Sequence, residues 1–443
     1  MIVEQSGAAG AVASATKLAS AYLDHAASTA VRPAALAAMV ERLGTFGNAS
    51  SLHTPGRAQR RVLEESRESL AALTGFAPPE VIFTSGGTEA NNLAIKGYYR
   101  KIIAHSPQRR RVIVGATEHP SVMASVRWLG TFADAEVLVA PVDAHGRIEL
   151  AALRRLLAEP ERVALVAVMA ANNETGTIAP LAEIAQLCTT AGVWWHCDAV
   201  QAAPWLDLRP TVALAGYSGS LADGDGQAAG ASDPSRLGRG FSIAISGHKL
   251  GAPVGIGALL GFASDELQPL CNGGGQERGA RPGTSPVALV ASLVAAARAA
   301  DRTRAERANR VHALRDELLA GITAAIPDVV VHTPLGSDDG LPGHALISFV
   351  GADADSLLLL LDAAGVAASA GSACSAGLTR ASPVLTAMGV GRDLALAAIR
   401  FSLGWNTTAD EVAQALEVLP AAIAKARAVG RPPRRAPGRG PSA

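Results

Sequence analysis

The chain carries no excess of charge of either sign. Lysine and arginine number 39, and aspartate and glutamate also number 39. No global field therefore draws it to nucleic acid or to an anionic membrane, and substrate choice has to come from local sites. Cysteine is scarce. Cys188, Cys197, Cys271 and Cys374 are the four in 443 residues, with no CxxC pair and no histidine spacing suited to zinc. That argues against a structural metal or a disulfide framework and fits a reducing, cytoplasmic setting. No uncharged apolar run approaches ~20 residues, so no membrane partner is expected. The first twenty residues have neither a basic start followed by an apolar core nor an Arg-rich transit pattern, and read as a loose Ala/Gly/Ser arm.

With 49% hydrophobic and 18% charged residues, the chain is long and apolar enough for two or more domains and a large core. Short apolar runs at 81–84, 112–114, 137–139, 163–169, 193–197, 241–245 and 256–260 alternate with Ala/Leu/Arg-rich helical stretches. This pattern predicts a wound, mostly parallel sheet, in which ligands gather where strands end and loops begin. From about Ala291 one long helix is expected to run to roughly Ile322. Strands at 329–332 and 345–349 and a helix at 355–364 follow, giving a smaller α+β domain. Residues 217–240 and the tail from 430 read as poorly ordered, the tail as a basic, solvated end.

Lys249 follows a short apolar strand and a Ser-Gly-His turn in SIAISGHKLG. A lysine there can form a Schiff base with an aldehyde such as pyridoxal phosphate if its surroundings supply free amine. By itself the motif describes many solvated turns. Gly86-Gly87-Thr88-Glu89 follows the strand VIFTS and opens a helix, which aims backbone N–H groups at whatever fills the turn and suits a phosphate. Asp198 ends the strand VWWHC, where a carboxylate can keep a pyridine nitrogen protonated. Gln201 then lies in reach of the ring's phenolic oxygen. His119, in TEHPS, is placed to stack on the ring and shuttle protons. Singly each has an ordinary explanation, Asp198 as a helix cap and His119 as a satisfied loop histidine. Together they describe a pyridoxal phosphate site.

With these residues in order, the chain resembles the class V aminotransferase group, and specifically cysteine desulfurases of the NifS/IscS type. The likeness runs from about Tyr22 to Glu417 through YLDHAAS, GNASSLH, FTSGGTEANNLAIKG, TEHPSV, NNETG, HCDAVQ, SGHKLGAPVGIGAL, GGGQERGARPGTSP, SAGSACSAG and IRFSLG. The resemblance implies a fold-type I α/β enzyme, with a large domain on a mostly parallel, mixed seven-stranded sheet over 21–290 and a small domain over 291–429. It further implies that Lys249 carries pyridoxal phosphate, Asp198 faces its ring nitrogen, Gln201 bonds its ring oxygen and His119 lies over the ring. Gly87, Thr88, Ser246 and His248 would hold the phosphate, and Thr284 would reach it from the neighbouring subunit of a homodimer. Asn173 would lie beside ring and substrate, Asn48 near the substrate, and Arg400 would take the substrate carboxylate in a two-pronged bond.

Cys374 separates a desulfurase from its transaminating relatives. Its Gly/Ser/Ala-rich surroundings suit a thiol that swings between cofactor and acceptor, whereas Cys188 and Cys197 look structural and Cys271 is undecided. The implied reaction converts L-cysteine to L-alanine and leaves the sulfur on Cys374 as a persulfide. It is destined for an iron-sulfur scaffold or a tRNA-thiolating enzyme. The length of 369–385 matches relatives with a long cysteine loop, which favours direct handover. Asn48-Ala49-Ser50 replaces the usual Asn-Pro-Ser, Ala30 stands where proline is common, and 217–240 looks like an insertion; none removes a chemical group. A selenocysteine lyase or other carbon-sulfur lyase that does without Cys374 is the nearest alternative, and a non-catalytic sulfur-transfer scaffold a further one.

Overall fold

A computed structural model describes residues 21–215, 240–336, 338–371 and 381–430. The proposed arm, the 217–239 stretch, Cys374 and the tail from 431 lie outside them. Among the described residues no helix is long and apolar enough to cross a membrane.

In chain order the strands are β1 (Ala21–Tyr22), β2 (Val81–Thr84), β3 (Arg111–Gly115), β4 (Glu136–Ala140), β5 (Val163–Ala167), β6 (Trp194–Asp198), β7 (Gly240–Ser246) and β8 (Gly257–Leu260). They continue with β9 (Val329–Val331), β10 (His344–Phe349), β11 (Val366–Ala367), β12 (Ser369–Ala370) and β13 (Ala398–Ser402). The large sheet has the order β2-β8-β7-β6-β5-β3-β4. Strands β7, β6, β5, β3 and β4 pair in parallel, and β8 runs antiparallel to both β2 and β7. The seven apolar runs of the sequence are these seven strands. Helices cover both faces of a parallel sheet, so its central strands are apolar on both sides. All five residues of β5 and of β6 are accordingly buried, polar His196 and Asp198 included. Each buried Val, Leu or Ile contributes about 1.5–3 kcal/mol.

The long helix expected over 291–322 is two helices, Val287–Arg302 and Arg304–Ala325, separated at Thr303. Arg307 stitches the break: its Nη1 donates to the Ala300 carbonyl and to Thr303 Oγ1, each at 2.9 Å. The first of the two belongs with the large sheet. Its Val290, Leu293 and Ala296 are buried in the same core as β5 and β7, and Ser292 Oγ donates to the Ala35 carbonyl at 2.8 Å.

The second core lies around the sheet β12-β13-β10-β9 and the helices Arg304–Ala325, Ala354–Ala363 and Ala409–Gly430. It also takes in the first described residues. β1 pairs in parallel with β11, Leu23 is buried there, and Ser402 N donates to the Leu23 carbonyl at 2.7 Å. The segment 24–28 then leaves this core and passes over the end of the large sheet, where the loops after β2, β3, β5, β6 and β7 converge.

Candidate active site

These loops enclose a cavity of about 370 Å³. Asp198, Gln201 and His119 line it, as do Gly87, Thr88, Ser246, His248 and Lys249 from the opposite loops. Asn173 and Arg400 complete the set that the structure brings together. Asn48 and Thr284 are not in this lining; both are exposed on the same chain. Asn48 Oδ1 accepts from Ser50 N at 2.9 Å and so closes a turn ahead of the helix Thr54–Thr74.

Lys249 sits in the one-turn helix Gly247–Leu250 that β7 feeds. Its Nζ donates to the Ala27 carbonyl at 2.6 Å and also to the Ala26 carbonyl. Gln201 Nε2 donates to that same Ala26 carbonyl at 2.9 Å. The 24–28 segment thus fixes both residues through its backbone, which no side-chain motif could reveal. Asp198 ends β6 with both oxygens occupied: Oδ1 accepts from Val200 N at 3.0 Å and Oδ2 from Asn91 Nδ2 at 2.7 Å. His119 caps the helix Pro120–Phe132, with Nδ1 accepting from Ser121 N at 3.2 Å. Burial lowers its pKa and Lys249 lowers it further, against an opposing pull from Asp198. His248 is lowered to about 4, by burial and then by Lys249.

Arg400 lies on β13 with 2% exposure. Nη1 donates to the Asn173 carbonyl at 2.8 Å, and Nη2 pairs with Asp24 Oδ1 at 2.9 Å. Nε is buried and has no partner among the described residues. Glu174, next to Asn173, lines the same part of the cavity and hydrogen-bonds Ser382. Burial pushes its carboxyl up to about 7, despite the opposing effects of Ser382 and Arg400. Glu118, also in the lining, accepts from Met169 N at 2.7 Å through Oε1, while Oε2 is buried without a partner among the described residues. Burial raises its pKa well above the usual carboxylate range. Cys188 and Cys197 are buried, and burial pushes the Cys188 thiol up to about 12. Cys271 is exposed.

Sequence reasoning passed over Asp24, Asn91, Glu118, Ser121 and Glu174. Each stands inside a motif quoted for the resemblance, but its partner is remote in sequence, 376 residues away for Asp24 and Arg400.

The residues present fit pyridoxal phosphate. The cavity has room for it, and a fixed carboxylate and a lysine amine lie in one lining. Gly87 lies against Ser246, and a Cβ there would lie 2.5 Å from Val200 Cγ2, so the close packing of this helix start on the loop after β6 depends on glycine.

The comparisons with known proteins point to one family. The family model described as aminotransferase class-V matches residues 21–209 and 230–415. The chain is 44% identical over 409 residues to an IscS-like cysteine desulfurase of Mycobacterium tuberculosis, covering 92% of this chain and 97% of that protein. It is 36% identical over 416 residues to the cysteine desulfurase NifS of Azotobacter vinelandii, covering 93% and 94%. The solved structure of a NifS-like protein from Rickettsia africae superposes with a TM-score of 0.74 at 26% identity, over 91% of this chain and 99% of that one. With the seven-stranded sheet and the cavity at its strand ends, these likenesses place the chain in the pyridoxal phosphate-dependent class V aminotransferase family, among the cysteine desulfurases of the NifS/IscS type.

Proposed function

We propose that this protein is a cysteine desulfurase that converts L-cysteine to L-alanine and passes the sulfur, through a persulfide on Cys374, to an acceptor such as an iron-sulfur scaffold or a tRNA-thiolating enzyme. The observation that carries this reading is the single cavity lined by Lys249, Asp198, His119, Gln201 and Arg400. Pyridoxal phosphate, when bound, supplies an electron sink for charge released at the substrate α-carbon. Gly87, Thr88, Ser246 and His248 would hold its phosphate, Asp198 would keep the ring nitrogen protonated, Gln201 would bond the ring oxygen and Asn173 would border the ring.

Arg400, which lines the cavity, binds the substrate carboxylate. Lys249 Nζ, as a free amine, would take the α-proton of the substrate. Cys374, as thiolate, attacks the substrate sulfur; the carbon-sulfur bond breaks, its electron pair stays with the carbon fragment that leaves as alanine, and a new sulfur-sulfur bond forms on the enzyme. The active form is a homodimer. Support comes from the exposed apolar side chains Leu36, Val40 and Leu43 on the helix Pro33–Leu43, with Phe46 and Leu52 beyond it, and from Thr284, which stands outside the cavity of its own chain. The substrate position of Asn48 belongs to the same dimeric reading.

The deciding experiment measures alanine and enzyme-bound persulfide formed from L-cysteine by the wild type and by Cys374→Ser. Both products are expected with the wild type and neither with the variant. Alanine that persists in Cys374→Ser would identify a lyase that does not use this thiol, and a wild type without turnover would overturn the reading.

A further inference from the structure

Behind the cavity wall a line of buried polar groups runs across the sheet. Trp194 Nε1 lies 3.0 Å from Ser242 Oγ, Ser242 Oγ 3.0 Å from His196 Nδ1, and His196 Nε2 3.0 Å from Asn91 Oδ1. Asn91 Nδ2 lies 2.7 Å from Asp198 Oδ2 and 2.9 Å from Ser121 Oγ, and Ser121 Oγ is 2.8 Å from His119 Nδ1. His196, Asn91 and Ser242 are at most 1% exposed, so they are shielded from bulk solvent and bond to one another.

The chemistry of these groups gives the line one direction. A carboxylate only accepts, so Asn91 must turn its NH₂ toward Asp198, which leaves Oδ1 facing His196 as an acceptor. His196 Nε2 must then donate. Complete burial holds this imidazole neutral, with its pKa lowered to about 3, so Nδ1 accepts, and it accepts from the Ser242 hydroxyl, whose oxygen takes the Trp194 N–H. At the other end the second N–H of Asn91 enters Ser121 Oγ. That hydroxyl then donates to His119 Nδ1, which already accepts from Ser121 N.

We propose that Asn91 and His196 are positioning residues of this site, which orient the Asp198 carboxylate and, through Ser121 Oγ, reinforce the neutral His119 tautomer that the Ser121 N–H cap favours, with its proton on Nε2. His119 then offers the cavity a hydrogen-bond donor at Nε2. It is not a base in this state, because its one accepting nitrogen is turned away and filled. Asn91 suits the task because one amide joins two donors to one acceptor: aspartate would set two carboxylates against each other, and alanine would orphan Asp198 Oδ2 and His196 Nε2 at once. The inference rests on the reading of Asp198 and His119 as cofactor-facing groups.

The test uses apoprotein labelled with ¹⁵N-histidine, in which imidazole nitrogen shifts report the tautomer directly and His119→Gln assigns the His119 signal. His196→Gln and His196→Asn form the informative pair. Glutamine places its amide nitrogen where Nε2 stood and still donates to Asn91; asparagine places its amide at the Nδ1 position and does not. The wild type and His196→Gln are expected to keep His119 protonated at Nε2, with His196→Asn and Asn91→Ala showing the mixed tautomer. Asn91→Ala should also weaken pyridoxal phosphate binding by the apoprotein roughly tenfold to a hundredfold, measured by fluorescence titration. Near-UV circular dichroism verifies that each variant folds. A merely structural role would affect both His196 variants alike. Equal tautomers in the pair, or wild-type cofactor affinity in Asn91→Ala, would overturn the proposal. A wild type that forms no alanine would overturn the function above instead, and the tautomer comparison would stand.

Discussion

Along the wall formed by β6 and the helical segment after β2, Asp198 has both oxygens occupied and Asn91 is bonded on every side. Across the cavity, where β13 meets the turn 172–176, Arg400 keeps Nε buried without a partner among the described residues, and Glu174 sits near 7, poised between charged and neutral. The contrast has a physical meaning. A carboxylate already held at both oxygens is preorganised for an occupant that stays, because it does not reorganise when the occupant arrives. A wall with an unfilled donor carries a cost of about 1–3 kcal/mol until an acceptor comes, and suits a ligand that arrives and leaves with each turnover. The first is the proposed cofactor wall and the second the proposed substrate wall.

Three substitutions test whether the walls divide the work in this way. The largest effect is expected from Asp198→Asn, which keeps the shape but removes the charge that holds a ring proton. It should lower kcat roughly 10³-fold with little change in KM for L-cysteine, and a steady-state assay in which KM carries the loss would erase the distinction. Arg400→Gln should do the reverse, raising KM on the order of tenfold to a hundredfold while apoprotein titration shows unchanged affinity for pyridoxal phosphate.

Glu174→Gln should have the smallest effect, and only on stability. The folded carboxyl holds its proton up to about 7, against an ordinary value of 4.5, so between these values the native chain binds a proton that the unfolded chain releases. Stability therefore falls as pH rises through that window, by up to about 3 kcal/mol. Glutamine mimics the protonated form. The variant should match the wild type near pH 4.5 and exceed it at pH 8 in denaturant unfolding, and equal pH slopes for the two would remove Glu174 from the account.

The sequence made the cofactor wall more legible than its support. Each strand of the large sheet is a compact apolar run, and Asp198, His119 and Lys249 stand at strand ends where a reader looks for ligands. Asn91 is different: it lies mid-helix, and its partners Asp198 and His196 are 107 and 105 residues away, so only the folded sheet brings them together. The single long helix was misread because Arg302 to Arg304 keeps the composition of a helix, and the break shows only in the Thr303 backbone, at φ −112° and ψ 14°. Carbonyl groups, such as those of Ala26 and Ala27, leave no trace in side-chain patterns at all.

That last contact also bears on how the molecule is made. The residues that fasten Lys249 and Gln201 are made 175 or more residues ahead of them, yet β1 has nothing to pair with until residues 366–367 have been synthesised, and His25 N finds its acceptor only at Ser402. A nascent chain can assemble the large sheet long before its lysine is anchored, because these closing contacts span nearly the whole chain and are slow to form. The clasp on Lys249 therefore waits for residues 366–402, and a chain that stops short of them would carry the motif without the clasp.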